Sequence, residues 1–207
     1  MSLNKSVLII FLILLIDQFS KVYIKLHFPL TIYGSEALID WGWFKVLFVE
    51  NKGMAWGAKI SDFIPFISDR LGKLILTVIR ITAVPLIFYW LYDSINKKEH
   101  KLLIISISLV LAGAIGNLID SILYGYLFTD SYLNIASFNP GNGYESLLYG
   151  HVVDMLQFPM FSWTWPNWFP FLGGNNFTFF EPVFNFADTA ISTGVGIMLV
   201  FNKKIFN

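Results

Sequence analysis

Four long apolar segments constrain the fold of this chain more than any other feature of its sequence. They lie at about residues 7–26, 74–92, 102–123 and 186–201. A helix needs about 20 mostly apolar residues to cross the hydrocarbon core of a bilayer. Only 14% of the 207 residues are charged, whereas soluble domains average about 25%. The sequence therefore predicts an all-α membrane protein, a single domain over residues 1–207 with four transmembrane helices.

The basic residues predict how these helices are oriented. If all four segments span the membrane, Lys5, the loop at 97–101 and the lysines at 203–204 lie on one side. The segment 124–185 contains no Lys or Arg. Because cytoplasmic loops carry an excess of basic residues, we expect a multi-pass protein with both termini in the cytoplasm. The segments at about 27–72 and 124–185 would then face outward.

The two outer segments carry their own structural patterns. Residues 38–50 are rich in β-branched and aromatic residues after a turn-like sequence at 33–35, which predicts one or two short strands. At 59–72, apolar residues recur at helical spacing and predict a short interfacial amphipathic helix, although Pro65 weakens the pattern. Residues 158–182 include ten aromatics in 25 positions, as expected for a segment at headgroup level.

Net charge and cysteine content exclude several kinds of site. The formal net charge is zero, so no basic field is available to hold a phosphate backbone and we expect no nucleic-acid partner. The chain has no cysteine, which excludes disulfides, thiol nucleophiles and cysteine-ligated metals. Any chemistry must therefore rest on other polar side chains.

Ionisable residues at bilayer depth are costly and mark candidate functional positions. Asp17 and Lys21 are four residues apart late in the first segment, so they share a helix face and can pair. The alternatives are a purely structural ion pair or a lysine that extends to the membrane surface. A Ser20–Lys21 nucleophile is disfavoured, because adjacent helical residues do not face each other. Asn117 and Asp120 also share a face, at the end of the third segment.

Two further carboxylates, Asp154 and Asp188, lie near the expected outer face. Taken alone, Asp188 suits the N-terminus of the fourth helix and Asp154 suits a loop turn. As a facing pair they would do more, because two close carboxylates do not both ionise readily. One stays protonated and the other acts as a base toward water, which is aspartic-peptidase chemistry. His151 and Asp154 lack a third metal ligand at a recognised spacing.

The polar turn that begins at Asn51 has two interpretations. Residues 51–57 contain two glycines and follow a strand-like segment. They could end a hairpin, or they could form an edge that holds an extended peptide. The residues alone leave both interpretations open.

Taken together and in order, five motifs resemble the lipoprotein signal peptidase family, also called type II or prolipoprotein signal peptidases. The motifs are Asp17 to Lys21, Asn51 to Gly57, Ala112 to Ser121, Val152 to Met155 and Phe184 to Asp188. Each motif alone is weak evidence. Five in this order, each at the expected place relative to the four spans, are specific and cover essentially the whole chain.

The resemblance implies an intramembrane aspartic endopeptidase that removes the signal peptide from prolipoproteins, just before a cysteine that already carries diacylglycerol. Asp154 and Asp188 would be the catalytic pair. Supporting or substrate-binding roles would fall to Asp17, Lys21, Asn51, Gly53, Asn117, Asp120, Asn185 and Ala187.

The resemblance also implies a fold, a location and partners. Family members have four transmembrane helices, with a small β-cradle and an interfacial helix on the outer side, and they need no metal or organic cofactor. We therefore expect a monomer in the bacterial inner membrane with its active site near the outer face. Its partners would be lipidated prolipoproteins and membrane lipids.

The chain departs from the family pattern in three places. Ser121 stands where the family has arginine after the residue matching Asp120, so an expected ion pair is missing or replaced. Met54 stands where a small alanine is usual. Residues 126–150 are an insertion ahead of the Val-x-Asp motif. We expect this insert to be a tolerated outer loop that is dispensable for chemistry; the alternative is a lid or a partner-docking element.

Two other functions deserve comparison. In a small non-catalytic transporter, Asp17, Arg80, Asp120 and Asp188 would be relay groups. However, the carboxylates cluster toward one face, and no paired broken helices mark a midplane site. A structural subunit of an envelope complex explains the apolar bundle but not the polar clusters. Arg80 lies outside every motif, and we expect its role to be structural.

Overall fold

Helices form the body of the molecule. The computed structural model describes residues 1–31, 37–54, 58–64 and 66–206. Within those ranges the helices are α1 (Leu3–His27), α2 (Ile60–Phe63), α3 (Asp69–Asn96), α4 (Lys101–Ile119), α5 (Gly125–Leu127), α6 (Phe186–Val200) and α7 (Asn202–Phe206). A π-helical turn, Asp120–Tyr124, joins α4 to α5. Turns of this kind are frequent at functional sites.

Among the described residues, three helices are long and apolar enough to cross a membrane. They are α1, α3 and the continuous helix Lys101–Leu127. α3 begins earlier than the sequence predicted, because the Ser68 side chain accepts a hydrogen bond from the Leu71 N–H at 3.3 Å and caps the helix. α6 is apolar but has 15 residues, which is about 22 Å of helix against a hydrocarbon core of about 30 Å.

The single interfacial helix predicted over residues 59–72 is wrong. α2 ends after four residues, and residues 69–72 are instead the first turn of α3. The residue before a proline is disfavoured in helical geometry, and Ile64 indeed leaves it, with φ −130° and ψ 89°. Pro65 itself lies outside the described residues.

The strands form a small sheet and a separate hairpin. β1 (Ile39–Asp40), β2 (Lys45–Asn51), β3 (Val152–Gln157) and β6 (Val183–Phe184) make an antiparallel sheet in the order β1-β2-β3-β6. β4 (Phe161–Thr164) and β5 (Asn176–Phe179) pair with each other. The strands predicted within residues 38–50 are therefore present as β1 and β2. The turn predicted at 33–35 lies outside the described residues.

α4 is the central helix of the bundle and packs against α1, α3 and α6. Its small residues allow this approach: a Cβ placed on Gly113 would lie 2.2 Å from the Ala187 carbonyl oxygen. Buried apolar side chains form one cluster inside the bundle and another between α1, the π-helical turn and the sheet. The first includes Leu91, Leu103, Ile104, Ile107 and Leu111, and the second includes Ile24, Phe48, Tyr124, Phe128, Val153 and Met155.

The insert at 126–150 packs onto this body. Its residues Phe128, Ser131 and Ala136 are buried. The Ser131 carbonyl accepts a hydrogen bond from the Leu30 N–H at 3.1 Å, which joins the insert to the segment after α1. This packing argues against the expectation of a dispensable outer loop, because removing the insert would expose apolar surface and break backbone hydrogen bonds.

Candidate active site

Polar side chains from five elements meet at one end of the helix bundle. These elements are the C-terminal half of α1, the end of β2, the C-terminal end of α4 with its π-helical turn, the strand β3, and the first turn of α6. All ten site residues predicted from the sequence belong to these elements or to the residues directly beside them: Asp17, Lys21, Asn51, Gly53, Asn117, Asp120, Asp154, Asn185, Ala187 and Asp188. Hydrogen bonds and ion pairs connect them.

Asp154 is a buried carboxyl on β3 and not a loop residue. Its Oδ1 accepts a hydrogen bond from Asn185 Nδ2 at 2.7 Å, and its Oδ2 accepts one from Asn51 Nδ2 at 3.1 Å. Burial raises the pKa of Asp154, and the negative charge of Asp188 raises it further, to about 7, against the opposing effect of the two amides. A carboxyl with this pKa can give or take a proton near neutral pH.

Asn185 connects the two aspartates. Its Oδ1 accepts the backbone N–H of Asp188 at 2.8 Å, and Asp188 Oδ2 accepts the backbone N–H of Asn185 at 3.3 Å. This is a capping box, so Asn185 is the helix cap and Asp188 completes the box. Asn117 Nδ2 donates to Asp188 Oδ1 at 2.8 Å. Two amide side chains therefore hold the two carboxyl groups in one network.

Lys21 lies at the centre of a buried ionic cluster. Its Nζ is 2.9 Å from Asp17 Oδ2, as the four-residue spacing predicted, and also 2.9 Å from Asp120 Oδ2. Asp17 Oδ1 accepts the backbone N–H of Ala187 at 2.9 Å, and Asp120 Oδ2 accepts that of Val153 at 3.3 Å. Buried charges require such partners. The cluster therefore ties α1, α4, β3 and α6 together next to the aspartates.

Sequence reasoning missed Gln18 and Tyr124 as members of this cluster. Gln18 Nε2 donates to Asp17 Oδ2 and to Asp120 Oδ1, each at 3.0 Å, and Gln18 Oε1 accepts from Tyr124 Oη at 3.1 Å. A glutamine inside an apolar segment was the available signal, since a polar side chain at that depth needs partners.

Arg80 contacts the residue that follows Asp120. Its Nη1 lies 2.5 Å from Ser121 Oγ. The resemblance leads us to expect arginine at position 121, and here a guanidinium from α3 reaches that position instead. Asp188, Asp120 and Asp154 are the acidic residues whose charges act on Arg80. A cation from another helix therefore lies beside position 121 and is hydrogen-bonded to the Ser121 hydroxyl.

A second buried charged cluster, centred on Lys25 and Glu50, was also missed. Lys25 pairs with Glu50 and donates to Ser131 Oγ of the insert at 2.8 Å. Glu50 Oε2 lies 3.0 Å from His151 Nδ1. Burial alone would raise the pKa of Glu50, but the hydrogen bond from His151 and the positive charge of Lys25 outweigh it and lower the pKa to about 2.

The position of this cluster relates it to the site. Glu50 precedes Asn51 on β2, and His151 precedes the strand that carries Asp154. The insert takes part through Ser131 and through Tyr144, whose Oη accepts the His151 N–H at 2.7 Å. The Lys25–Glu50 cluster therefore fixes the two strands whose side chains meet at the site.

The two aspartates line one cavity. Its volume is about 540 Å³, and its wall is completed by Asn51, by apolar residues within 180–184, and by Ile191 and three hydroxyl-bearing residues of α6. A second cavity of about 570 Å³ continues from Asp154 along β2. A protonated and an ionised carboxyl at one cavity can serve as acid and base on one substrate.

The polar turn after β2 begins with a hydrogen bond from the Gly53 N–H to Asn51 Oδ1 at 2.9 Å. Residues 55–57 of that motif lie outside the described residues.

Comparisons with known proteins found a matching family model and similar sequences. A family model described as signal peptidase (SPase) II matches residues 9–203. The lipoprotein signal peptidase of Porphyromonas gingivalis is 42% identical over 194 residues, which cover 93% of this chain and 80% of that protein. The lipoprotein signal peptidase of Amoebophilus asiaticus is 34% identical, covering 93% of this chain and 75% of that protein.

A solved structure has a similar fold. It is a bacterial membrane enzyme determined by the in meso method at 1.9 Å resolution. It superposes with a TM-score of 0.59 at 22% identity, and the match covers 96% of this chain and 92% of that chain. The path of the chain is therefore that of a known membrane enzyme over nearly its whole length.

Proposed function

Because the chain belongs to the signal peptidase II family, we propose that Asp154 and Asp188 are the catalytic pair of a lipoprotein signal peptidase. Family membership confirms the resemblance and the enzyme class. The protein is a membrane-bound endopeptidase that removes signal peptides from diacylglyceryl-modified prolipoproteins, just before the lipidated cysteine. The alternatives of a transporter and of a structural subunit are not supported.

The observation that carries the assignment is the shared environment of the two carboxyl groups. Both line the 540 Å³ cavity. The Asn185 side chain donates from Nδ2 to the Asp154 carboxyl group and accepts the backbone N–H of Asp188 at Oδ1. The negative charge of Asp188 contributes to the raised pKa of Asp154. A carboxyl with a pKa of about 7 is protonated in a large fraction of molecules near neutral pH, and an aspartic mechanism requires such a proton.

The mechanism follows from that shared proton. The ionised carboxylate accepts a proton from a water molecule while the water oxygen forms a bond to the scissile carbonyl carbon. The protonated carboxyl donates its proton to the carbonyl oxygen, which would otherwise carry the negative charge. When the C–N bond breaks, the leaving amine of the lipidated cysteine takes a proton from the pair, and one hydroxyl of the tetrahedral intermediate returns a proton to the pair, which restores the starting state. The signal peptide leaves with the new carboxyl terminus.

The cavity suits a substrate that is partly lipid and partly extended peptide. Phe180 and Pro182 before β6, the two β6 residues and Ile191 of α6 give the cavity an apolar wall that favours apolar chains, while α6 also contributes hydroxyl groups from Thr189, Ser192 and Thr193. Along β2, the second cavity reaches Asn51 at the end of the strand and Lys52 just after it, where polar groups can hold an extended backbone. We assign the supporting residues Asp17, Lys21, Asn117, Asp120, Asn185 and Ala187 to holding the pair, and Asn51 and Gly53 to the substrate backbone.

We further propose four spans, with α6 as the fourth. The aspartate site joins the C-terminal ends of α1 and α4 to the N-terminal end of α6. This arrangement is expected if successive helices cross the membrane in opposite directions. The lysine distribution then puts both termini in the cytoplasm and the site near the outer face of a bacterial inner membrane. The β1-β2-β3-β6 sheet would be the substrate cradle, and the enzyme would act as a monomer.

A paired cleavage assay tests the substrate assignment. The purified full chain is given a precursor that carries diacylglyceryl on its cysteine and the same precursor without the lipid. We expect release of the signal peptide from the lipidated precursor and much slower release from the other. Equal cleavage of both, or cleavage of neither, would contradict the proposed function.

A further inference from the structure

A third cavity, which shares Lys52 and Lys59 with the cavity along β2, is lined by basic side chains. Its volume is about 210 Å³, and α2, the first turns of α3 and the insert enclose it. Among the described residues, its lining includes four lysine or arginine side chains and two carboxylates, with His151 in addition. The basic ones are Lys52, Lys59, Arg70 and Lys73, and the acidic ones are Asp69 and Glu145. The lining therefore carries excess positive charge.

Lys73 is the buried member of this basic lining. It is 6% exposed, and its Nζ has no hydrogen-bond partner within the part of the chain that the structure describes. The two acidic residues are already engaged, since Asp69 pairs with Lys59 and Glu145 pairs with Arg70. A buried ammonium is unfavourable without a counter-charge, so the cavity is electrostatically suited to an anion.

Other charges act on Lys73 from farther away. Burial disfavours its charged form most, Arg80 two turns further along α3 repels it, and Asp120 and Asp154 attract it. Neither of those two carboxylates is within hydrogen-bonding or ion-pair distance of Lys73. Asp120 is paired with Lys21, and Asp154 belongs to the catalytic pair. They do not neutralise the cavity.

The depth of the cavity identifies the class of anion. α3 has 28 residues, about 42 Å of helix at 1.5 Å per residue, whereas the hydrocarbon core is about 30 Å thick. Roughly four residues at each end therefore extend into the headgroup region. Asp69, Arg70, Gly72 and Lys73 line the cavity and lie at that level, and the N-terminal end of the helix adds partial positive charge. Lipid phosphate is the anion that concentrates there.

We propose that this cavity binds the phosphate of an anionic phospholipid headgroup. Lys73 supplies the buried positive charge, and Lys52 and Arg70 close over the phosphate from the rim. Arg70 is held in place by the insert, because its guanidinium lies 4.6 Å from the ring centre of Tyr149 and pairs with Glu145. The insert thus helps to build a lipid site. The proposal does not depend on the catalytic assignment, because binding is measured without substrate.

Native mass spectrometry of the full chain in detergent tests the site. The protein is titrated with phosphatidylglycerol, with phosphatidylcholine, and with phosphatidylglycerol in the presence of inorganic phosphate. Lys73→Met removes the buried charge at similar volume, and Arg70→Gln removes a charge from an exposed position that should not affect folding. Lys45→Met is the matched control, since Lys45 is an outer-side lysine that pairs with Asp40 and does not line the cavity.

We expect one tightly held phosphatidylglycerol in the wild-type protein and weaker binding of phosphatidylcholine. Lys73→Met and Arg70→Gln should each weaken phosphatidylglycerol binding about fivefold, which is about 1 kcal/mol. Lys45→Met should bind as the wild type does. Unchanged lipid binding in both cavity variants would overturn the proposal. Displacement of the lipid by inorganic phosphate at equal concentration would overturn it too, since the site would then be one for free anions.

Discussion

The side-chain amide of Asn185 donates a hydrogen bond to Asp154 Oδ1 at 2.7 Å, and the same side chain accepts the backbone N–H of Asp188 at 2.8 Å. One residue therefore does two things: it begins α6, and it sets the position of both carboxyl groups. Its acceptor oxygen serves the helix and its donor nitrogen serves Asp154. The two roles can be separated by mutation.

Asn185→Asp should keep the helix cap and lose the donor. An aspartate still accepts the Asp188 N–H, but it repels the Asp154 carboxylate and raises the pKa of Asp154 further. We expect a loss of kcat at neutral pH and a pH–rate profile displaced to higher pH. Asn185→Ser is the control, because it keeps a cap without added charge. An unchanged pH profile for Asn185→Asp would contradict the role given to this residue.

The raised pKa of Asp154 predicts how stability depends on pH. The native carboxyl has a pKa of about 7, whereas an unfolded aspartate titrates near 4. Between those values the native state holds more protons, so this group stabilises the fold at low pH and its contribution is lost as pH rises toward 7 and beyond. Asp154→Asn should therefore raise Tm relative to wild type, and by more at pH 8 than at pH 5. A Tm difference that does not change with pH would show that the carboxyl titrates normally.

The Lys25–Glu50 cluster predicts a large loss of stability on Glu50→Gln. Lys25 is fully buried, and removing one partner of a buried ion pair costs about 3–5 kcal/mol. Asp93→Asn is the control, because it breaks the exposed Lys97–Asp93 pair, worth about 0–1 kcal/mol. Denaturation in detergent measures both. Because the pKa of Glu50 is lowered to about 2, its stabilisation is present at neutral pH and is lost as pH falls from about 4 toward 2.

Arg80 and Ser121 predict an exchange experiment. Arg80→Ser should lower activity about tenfold, since a hydrogen bond from a charged group is lost and the catalytic pair loses a nearby cation. Adding Ser121→Arg to the Arg80→Ser variant restores a guanidinium near residue 121, now carried by the π-helical turn after α4. Cleavage assays of the single and double variants should show recovery in the double variant. If the double variant is no better than Arg80→Ser, the proposed replacement is wrong.

The sequence predicted local relationships better than distant ones. The Asp17–Lys21 pair follows from helical spacing alone, and the strands within 38–50 follow from their residue types. The contacts of Asn185 with Asp154 and of Asn117 with Asp188 join elements 31 and 71 residues apart, which no local spacing encodes. The resemblance assigned these four residues to one site, but neither contact was predicted.

The errors have the same origin. The helix predicted at 59–72 followed the apolar spacing, but the breaking effect of Pro65 on Ile64 and the Ser68 cap decided where α2 ended and α3 began. The Lys25–Glu50 cluster was missed because Lys25, Glu50 and His151 come from three separate segments. Its signal in the sequence was a second lysine one turn beyond Lys21. The burial of Ser131 and Ala136 in the insert could not be predicted either, because it depends on tertiary packing.

The central claim is that Asp154 and Asp188 perform the cleavage together. Asparagine has almost the same shape as aspartate but can neither hold the negative charge nor carry the proton. Asp154→Asn and Asp188→Asn should each reduce cleavage by about 10²–10⁴-fold, and the double variant should lose little more than either single one, because the pair acts as a unit. Asp93→Asn removes an exposed carboxylate far along α3 and should cleave as the wild type does.

The most direct measurement is the rate of signal-peptide release from a diacylglyceryl-modified precursor by each purified variant, with Tm recorded for the same samples. We expect the Asp154→Asn and Asp188→Asn proteins to fold and to release the signal peptide at rates at least about a hundredfold below wild type. If either folded variant keeps more than about a tenth of the wild-type rate, far above that expected loss, these two residues are not the catalytic pair.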